Sequence, residues 1–339
     1  IPVFASLDEP VPRLRSDLDI QMITDDGQDL LLLRDQTGCS DEMLAFKPQA
    51  WALFSLFDGV RSVNTIQHEI FEATRTHVDA EHLLGIVSAL DEYLFLDNER
   101  YREARDLFDE EYAALTVRPA AHAGTSYPEN PEELLAFFND LFGTTEQAAP
   151  AQAPIGILTP HIDLKIGPEV YAPAFRALQA ADIDTVVILG TSHYSNEDLF
   201  ILTSKSFETP FGILPTDTEF VRMLRERCGG ILTERDVAHR TEHSIEFPVL
   251  FLQHLFGNDT LRVVPILVTS FDEYLVEGRP VASDQRYAAF LRAFHATVAT
   301  LGRKVAFVIS VDWSHVGRKF GDAVDAADVL DAVRLSDQE

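Results

Sequence analysis

Apolar and polar positions follow two different rhythms along this chain. From residue 155 onward, uninterrupted apolar runs recur at residues 155–159, 185–189, 261–268 and 304–311. Amphipathic stretches at 168–180, 217–227, 248–256 and 284–301 separate them. Short Val/Ile/Leu runs bounded by turn residues are strands buried on both faces, and the helices between them return the chain. The pattern predicts an α/β fold with a mostly parallel sheet flanked by helices. Pro248 is placed in the first turn of its helix, which leaves His239 to His243 in a loop. Residues 1–112 read differently. Residues 18–23 and 30–34 flank Asp25-Asp26-Gly27 as a β-hairpin, and Lys47-Pro48 opens a helix that Asp58-Gly59 closes. Ser62 and Asp79 are N-caps of two further helices, and residues 93–96 return as a short strand. This predicts a small winged-helix-like α+β domain and a connecting helix over 100–112, followed by a second domain over 113–339. The Ala/Pro-rich residues 147–154 read as a loop inside that second domain.

Charge narrows the partners. The 339 residues carry 55 acidic against 27 basic side chains, a formal charge of −28. Binding phosphates or an anionic membrane requires a basic surface, so neither nucleic acid nor membrane is expected as a partner. Only Cys39 and Cys228 are present, which excludes a disulfide framework and a cysteine-built zinc site. Apolar runs fall well short of the roughly 20 residues that span a bilayer. No basic segment followed by an apolar one opens the chain. A cytoplasmic location is expected.

Chemistry collects at strand ends. One strand ends in Thr159-Pro160-His161-Ile162-Asp163, a second in Gly190-Thr191-Ser192-His193-Tyr194, and the last in Ser310-Val311-Asp312-Trp313-Ser314-His315. Parallel sheets bind ligands outside the carboxyl ends of their strands, so three separate strands deliver His161, His193 and His315 to one edge. Neutral imidazole ligates Fe, Cu and Zn, and Asp312 can bind a metal or orient a ring. Spacing leaves two arrangements open. Either the histidines and a carboxylate share the metal, or His161 and His193 hold it beside a His315–Asp312 acid–base pair. His239 to His243 spells H-x-x-E-H, but that zinc motif needs one helix, which Pro248 disfavours. His243 at a helix N-terminus suits an anionic substrate or a role behind the metal ligands. Gly190 to Tyr194 imitates a nucleophile elbow without its closing Gly. No phosphate-binding Gly-rich loop occurs.

Two resemblances carry further expectations. Leu30-Leu31-Leu32-Leu33-Arg34, Lys47-Pro48, Leu56-Phe57-Asp58-Gly59 and Leu90-Asp91-Glu92 resemble PqqD-like domains, winged helices that hold a peptide or partner chain. From residue 118 the chain resembles the Memo family, whose bacterial members are called AmmeMemoRadiSam system protein B. The matching blocks are His122-Ala123-Gly124-Thr125-Ser126-Tyr127-Pro128, Pro160-His161, Ile188 to His193, Thr209-Pro210-Phe211-Gly212, Glu242-His243-Ser244-Ile245-Glu246, Val264 to Val268, and Ser310 to Phe320. The resemblance implies a fold similar to class III extradiol dioxygenases. It implies Fe or Cu held by His161 and His193, with catalytic candidates His315, Asp312 and His243 lining the pocket. It also implies redox chemistry on a peptide, protein or small aromatic substrate, and radical-SAM and AMMECR-type pathway partners. A metal or peptide carrier without turnover, and a metal-dependent hydrolase, are the alternatives. Two departures stand out. Pro160-His161-Ile162-Asp163 replaces the usual Pro-His-Ala-Gly, and family members continue well beyond Phe320, often with a Cys near the metal. A third ligand is therefore expected beyond residue 339, in a domain truncated at its C-terminus.

Overall fold

The computed structural model describes the chain apart from residues 1–3, 5, 26, 36, 41, 145–151, 196–197, 234, 321 and 339. Two units divide it, Ile1–Ala114 and Leu115–Glu339. In the first, β1 (Leu18–Asp25) and β2 (Gln28–Asp35) pair as a hairpin with Asp25 opposite Gln28 and Gly27 at φ +76°. Asp26 of the expected turn lies outside the described residues, as do residues 147–151 of the expected Ala/Pro-rich loop. A third antiparallel strand, β3 (Met43–Phe46), joins β2; four residues are too few to show a period. The helices are α1 (Ala50–Phe54), α2 (Val63–Thr74), α3 (Ala80–Glu92) and α4 (Glu99–Ala113). Ser62 Oγ accepts from Thr65 N at 3.2 Å and Asp79 from Glu81 N at 3.1 Å, so both expected caps form. The expected strand at 93–96 does not form. Leu94, at φ +63°, turns the chain, and Leu96 makes a single bridge to Leu14. Leu33, Val63, Ile66, Val87, Leu90 and Phe95 fill the core of this unit.

The second unit contains β4 (Val117–Arg118), α5 (Pro131–Thr144), β5 (Gly156–Thr159), α6 (Ala172–Leu178), β6 (Thr185–Thr191), β7 (Phe200–Leu202), β8 (Ser206–Thr209) and β9 (Gly212–Leu214). It continues through α7 (Thr218–Cys228), α8 (His243–Phe256), β10 (Arg262–Val268), α9 (Asp272–Val276), α10 (Gln285–Leu301), β11 (Val305–Ser310) and α11 (Ala326–Gln338). The main sheet has the order β5-β11-β6-β10-β7, parallel except for the edge strand β7. A smaller sheet pairs β4, β8 and β9.

Alternation along the central strands builds two cores. Val186 and Ile188 of β6 pack with α6 and α8 through Phe175, Leu250 and Phe251. Val187 of β6 and Val264 and Ile266 of β10 face the other way, toward Phe220 and Leu224 of α7 and Phe290 and Phe294 of α10. Leu158, Ile309 and Val311 toward the β5 side are exposed. The expected helix at 168–180 is split, with a 3-10 turn at Pro168–Val170 preceding α6. No helix among the described residues is long and apolar enough to cross a membrane.

Candidate metal centre

Register sets the site. Ser310 of β11 lies opposite Thr159 of β5 on one side and Gly190 of β6 on the other, so three strands end level and release His161 and His193 at one edge. Above that edge sits the start of α8, and here the structure corrects the expected helix boundary. The helix begins at His243, not Pro248, and Pro248 lies within it. Glu242 is the N-cap, its side chain accepting from Ser244 N at 3.0 Å. Ten consecutive residues from Ser244 to Gln253 are buried. That tertiary burial outweighs the lost Pro248 N–H, which sequence rules alone count as helix-breaking. Gly190 permits the approach. A Cβ there would meet Ser244 Oγ at 2.6 Å and Ile245 Cδ1 at 2.7 Å.

Three imidazoles meet as a result. Ring centroids lie 5.0 Å apart for His161 and His193, 5.2 Å for His161 and His243, and 4.7 Å for His193 and His243. One nitrogen from each lies within 4.8 Å of the other two. His161 is buried, His243 partly buried, and the His193 side chain 32% exposed, so the cluster opens toward solvent past His193.

Glu242 organises the rings, a role that sequence reasoning missed. Its buried carboxylate accepts from the His193 backbone N–H at 3.0 Å and lies 2.9 Å from His193 Nδ1 and 3.5 Å from His243 Nδ1. An ionised carboxylate only accepts, so Nδ1 of His193 carries the hydrogen and Nε2 keeps its lone pair. Burial pushes the Glu242 pKa upward, but the His193 hydrogen bond and the neighbouring imidazoles hold it down to about 2. His193 is raised, because the bond to and charge of Glu242 outweigh burial. Burial lowers His161 and pushes His243 down to about 4, which favours neutral donors. His161 Nδ1 faces the Ser310 carbonyl at 3.3 Å, again leaving Nε2 as the lone-pair nitrogen.

Asp312 links this cluster to His315. Asp312 Oδ1 accepts from His161 N at 2.7 Å. Its Oδ2 lies 3.5 Å from His161 Nε2 and 3.1 Å from His315 Nε2. Asp312 is held below its usual range: burial opposes this, and the His161 backbone N–H and the two imidazoles override it. The His315 ring stacks on Phe320 at 4.9 Å with its side chain 53% exposed, so it sits beside the three-nitrogen cluster and outside it.

A buried layer braces α8 from behind. Glu246 accepts from Arg118, Tyr127 Oη, Ala121 N (3.1 Å) and His122 N (2.9 Å). His122 Nε2 lies 2.8 Å from the Thr241 carbonyl, and its ring meets His243 edge-on at 5.7 Å. His239 is remote from the cluster, buried with Nε2 2.9 Å from the Ile201 carbonyl, so H-x-x-E-H is no metal motif here. Ser192 donates to the Ser195 carbonyl at 2.6 Å, and Asp163 accepts from Lys165 N within its own loop and from Ser126 Oγ of the loop before α5.

Residues 118–338 match the family model described as Memo-like protein. The chain belongs to the Memo family. An Aquifex aeolicus relative described as a MEMO1 family protein is 33% identical over 296 residues, covering 87% of this chain and 74% of the relative. A Thermus thermophilus relative of the same description is 31% identical over 263 residues, covering 77% and 74%. A Methanococcoides burtonii relative is 33% identical over 203 residues, 59% and 68%. In this Memo-family chain the strand-end histidines meet an α8 whose first residue is His243 and whose cap is Glu242.

Proposed function

We propose that this Memo-family protein holds one transition-metal ion, Fe or Cu, between His161, His193 and His243, and uses it in redox chemistry on a bound substrate. The observation that carries the reading is the three imidazole nitrogens within 4.8 Å of one another. The donor set fits such an ion: three imidazole nitrogens, two of the rings with Nδ1 directed to an oxygen acceptor, and a solvent-facing side left for a further ligand. His243 takes the third position that the family resemblance had assigned to chain beyond residue 339. When bound, the ion supplies electron transfer and Lewis acidity at that open side.

The protein's own groups do the rest. Glu242 fixes the ring of His193 and neutralises charge beneath it. Asp312 stays ionised and holds the His161 backbone while accepting from His315. His315, exposed and paired with Asp312 through Nε2, is placed to give or take a proton at its other ring nitrogen, Nδ1. Ser310 Oγ, buried beside His161 and without a hydrogen-bond partner among the described residues, offers a donor to a water or ligand atom. A non-redox carrier and a zinc hydrolase remain the competing readings, the latter because three histidines with an open position also suit catalytic zinc.

Metal analysis of anaerobically purified protein, with and without His193→Ala, tests this. One equivalent of Fe or Cu, lost in His193→Ala and accompanied by substrate-dependent oxygen consumption, supports the reading. Bound Cu(I) without turnover favours the carrier, and zinc with ester or amide cleavage the hydrolase. Stoichiometric metal retained in His193→Ala refutes the ligand assignment.

A further inference from the structure

The loop before α5 ties two of the three imidazoles together from behind. Its residues 121–127 form a tight turn of their own. Gly124, at φ +78°, donates its N–H to the Tyr127 carbonyl at 2.7 Å, and Ser126 N donates to the His122 carbonyl at 2.9 Å. Both ends of this turn grip one side chain of α8, because Glu246 accepts from Ala121 N, His122 N and Tyr127 Oη. Glu246 lies three residues after His243, on the same face of the helix. The far side of the turn meets the loop that carries His161. Ser126 is buried, and its Oγ donates to Asp163 Oδ2 at 2.8 Å. Asp163 Oδ1 accepts from Lys165 N at 2.7 Å, and the Asp163 carbonyl accepts from Ile166 N at 2.9 Å. The carboxylate that crosses to Ser126 therefore also closes its own turn.

A closed circuit results. It runs from His161 through Asp163, Ser126 and Glu246 to His243, and the two rings at its ends lie 5.2 Å apart. The His161 loop has other anchors. Asp312 holds the His161 N–H at 2.7 Å, and Tyr171 Oη donates to the Ile162 carbonyl at 2.7 Å. Those bonds fix the loop to the end of β11 and the start of α6. Among the described residues, the hydrogen bond that links it toward α8 is Ser126–Asp163. Asp163 stands where the resembled motif has Gly, which has no side chain to make such a bond. We infer that Ser126 and Asp163 are positioning residues, a strap that sets the spacing of the His161 and His243 rings. The strap is a property of the imidazoles themselves; its effect on a bound ion rests on the metal-centre reading.

Two measurements on the full chain test it: heteronuclear NMR of the histidine rings in chelator-treated protein, and Cu(II) titration followed by electron paramagnetic resonance. Ser126→Ala breaks the link and keeps the Asp163–Lys165 turn. It should shift the ring resonances of His161 and His243 and leave those of His254, in the last turn of α8, in place. It should also weaken Cu(II) binding about tenfold and alter the copper hyperfine splitting. Asp163→Ala should act likewise, and the double variant no more than Asp163→Ala, since both remove one bond. Asp163→Asn is the conservative variant. Its amide oxygen accepts from Lys165 N and its NH2 donates to Ser126 Oγ, so ring resonances and hyperfine splitting should return to wild type although a charge is lost. Three results overturn the strap: Ser126→Ala with unchanged rings and copper spectrum, a fall in Tm without either change, or Asp163→Asn as altered as Asp163→Ala. The metal-free ring shifts support the strap whether or not wild type takes up Cu(II). Cu(II) bound equally well and with one spectrum in wild type and Ser126→Ala removes the strap and leaves the metal centre standing.

Discussion

Gly190→Ala isolates the geometric requirement of the site in one methyl group. The new carbon would lie 2.6 Å from Ser244 Oγ and 2.7 Å from Ile245 Cδ1, roughly 1 Å inside ordinary van der Waals separation. Neither neighbour can swing away cheaply. Ser244 Oγ donates to the Thr191 carbonyl at 2.8 Å, and Ile245 is fully buried. The first turn of α8 must therefore lift, or β6 must bend, and overpacking of this kind costs about 1–3 kcal/mol. For a unit of this size that lowers Tm by roughly 2–12 °C. His243 precedes Ser244, so the same lift separates its imidazole from His161 and His193, and metal affinity should fall by about tenfold or more. Differential scanning calorimetry of metal-free protein and metal titration read the two effects. Gly143→Ala is the control. It is an exposed α5 position with nothing within 4 Å of the added carbon, so it should be neutral or stabilising by about 0.5–1 kcal/mol. If Gly190→Ala matches wild type in both Tm and metal affinity, the close approach of α8 to β6 does not build the site.

Other expectations follow from the buried charges. Glu242→Gln should weaken metal about 10–100-fold while the fold persists, read by metal titration beside far-ultraviolet circular dichroism. A raised His193 proton competes with the ion, so metal affinity should climb with pH until His193 is neutral and then level off. Glu242→Gln should move that break to lower pH, and an unmoved break would show that Glu242 does not control the ring. Glu246 is held below its usual range by Arg118 against the opposing effect of burial. Its contribution to stability is therefore complete above the unfolded carboxyl pKa of about 4.3 and lost as pH falls through its folded value. Glu246→Gln should lower stability at pH 7 and flatten the acid limb of a Tm-against-pH profile. In the first unit, Asp35 accepts from buried Arg15 at 3.0 and 3.1 Å. Asp35→Asn should cost about 2–3 kcal/mol in chemical denaturation, without altering metal binding.

Much of the fold was legible because parallel strands write their burial plainly. The runs around Val186, Val264 and Val308 have no polar face to hide, and their ends placed His161 and His193 on one edge. What was not legible was short or tertiary. β7, β8 and β9 have three or four residues each, too few to show a period, and β7 pairs antiparallel only through β10. Pro248 concealed the start of α8, because its local cost is visible in sequence and the burial that offsets it is not. With the helix start misplaced, Glu242 was not read as an N-cap, a position that Ser, Thr, Asp and Asn usually fill. His243 was accordingly read as lining the pocket, for an anionic substrate or behind the metal ligands, whereas the geometry sets its ring against His161 and His193. His315 has the opposite history. It follows a strand end as the other two do, yet five residues of loop after Ser310 carry it past Asp312 onto Phe320.

Anomalous diffraction from metal-loaded crystals, recorded on either side of the Fe and Cu edges, tests the central claim most directly. The account expects one strong peak within bonding distance of Nε2 of His161, His193 and His243 together, absent from His193→Ala crystals. A peak elsewhere, or one that leaves any of these three imidazoles uncoordinated, would contradict it.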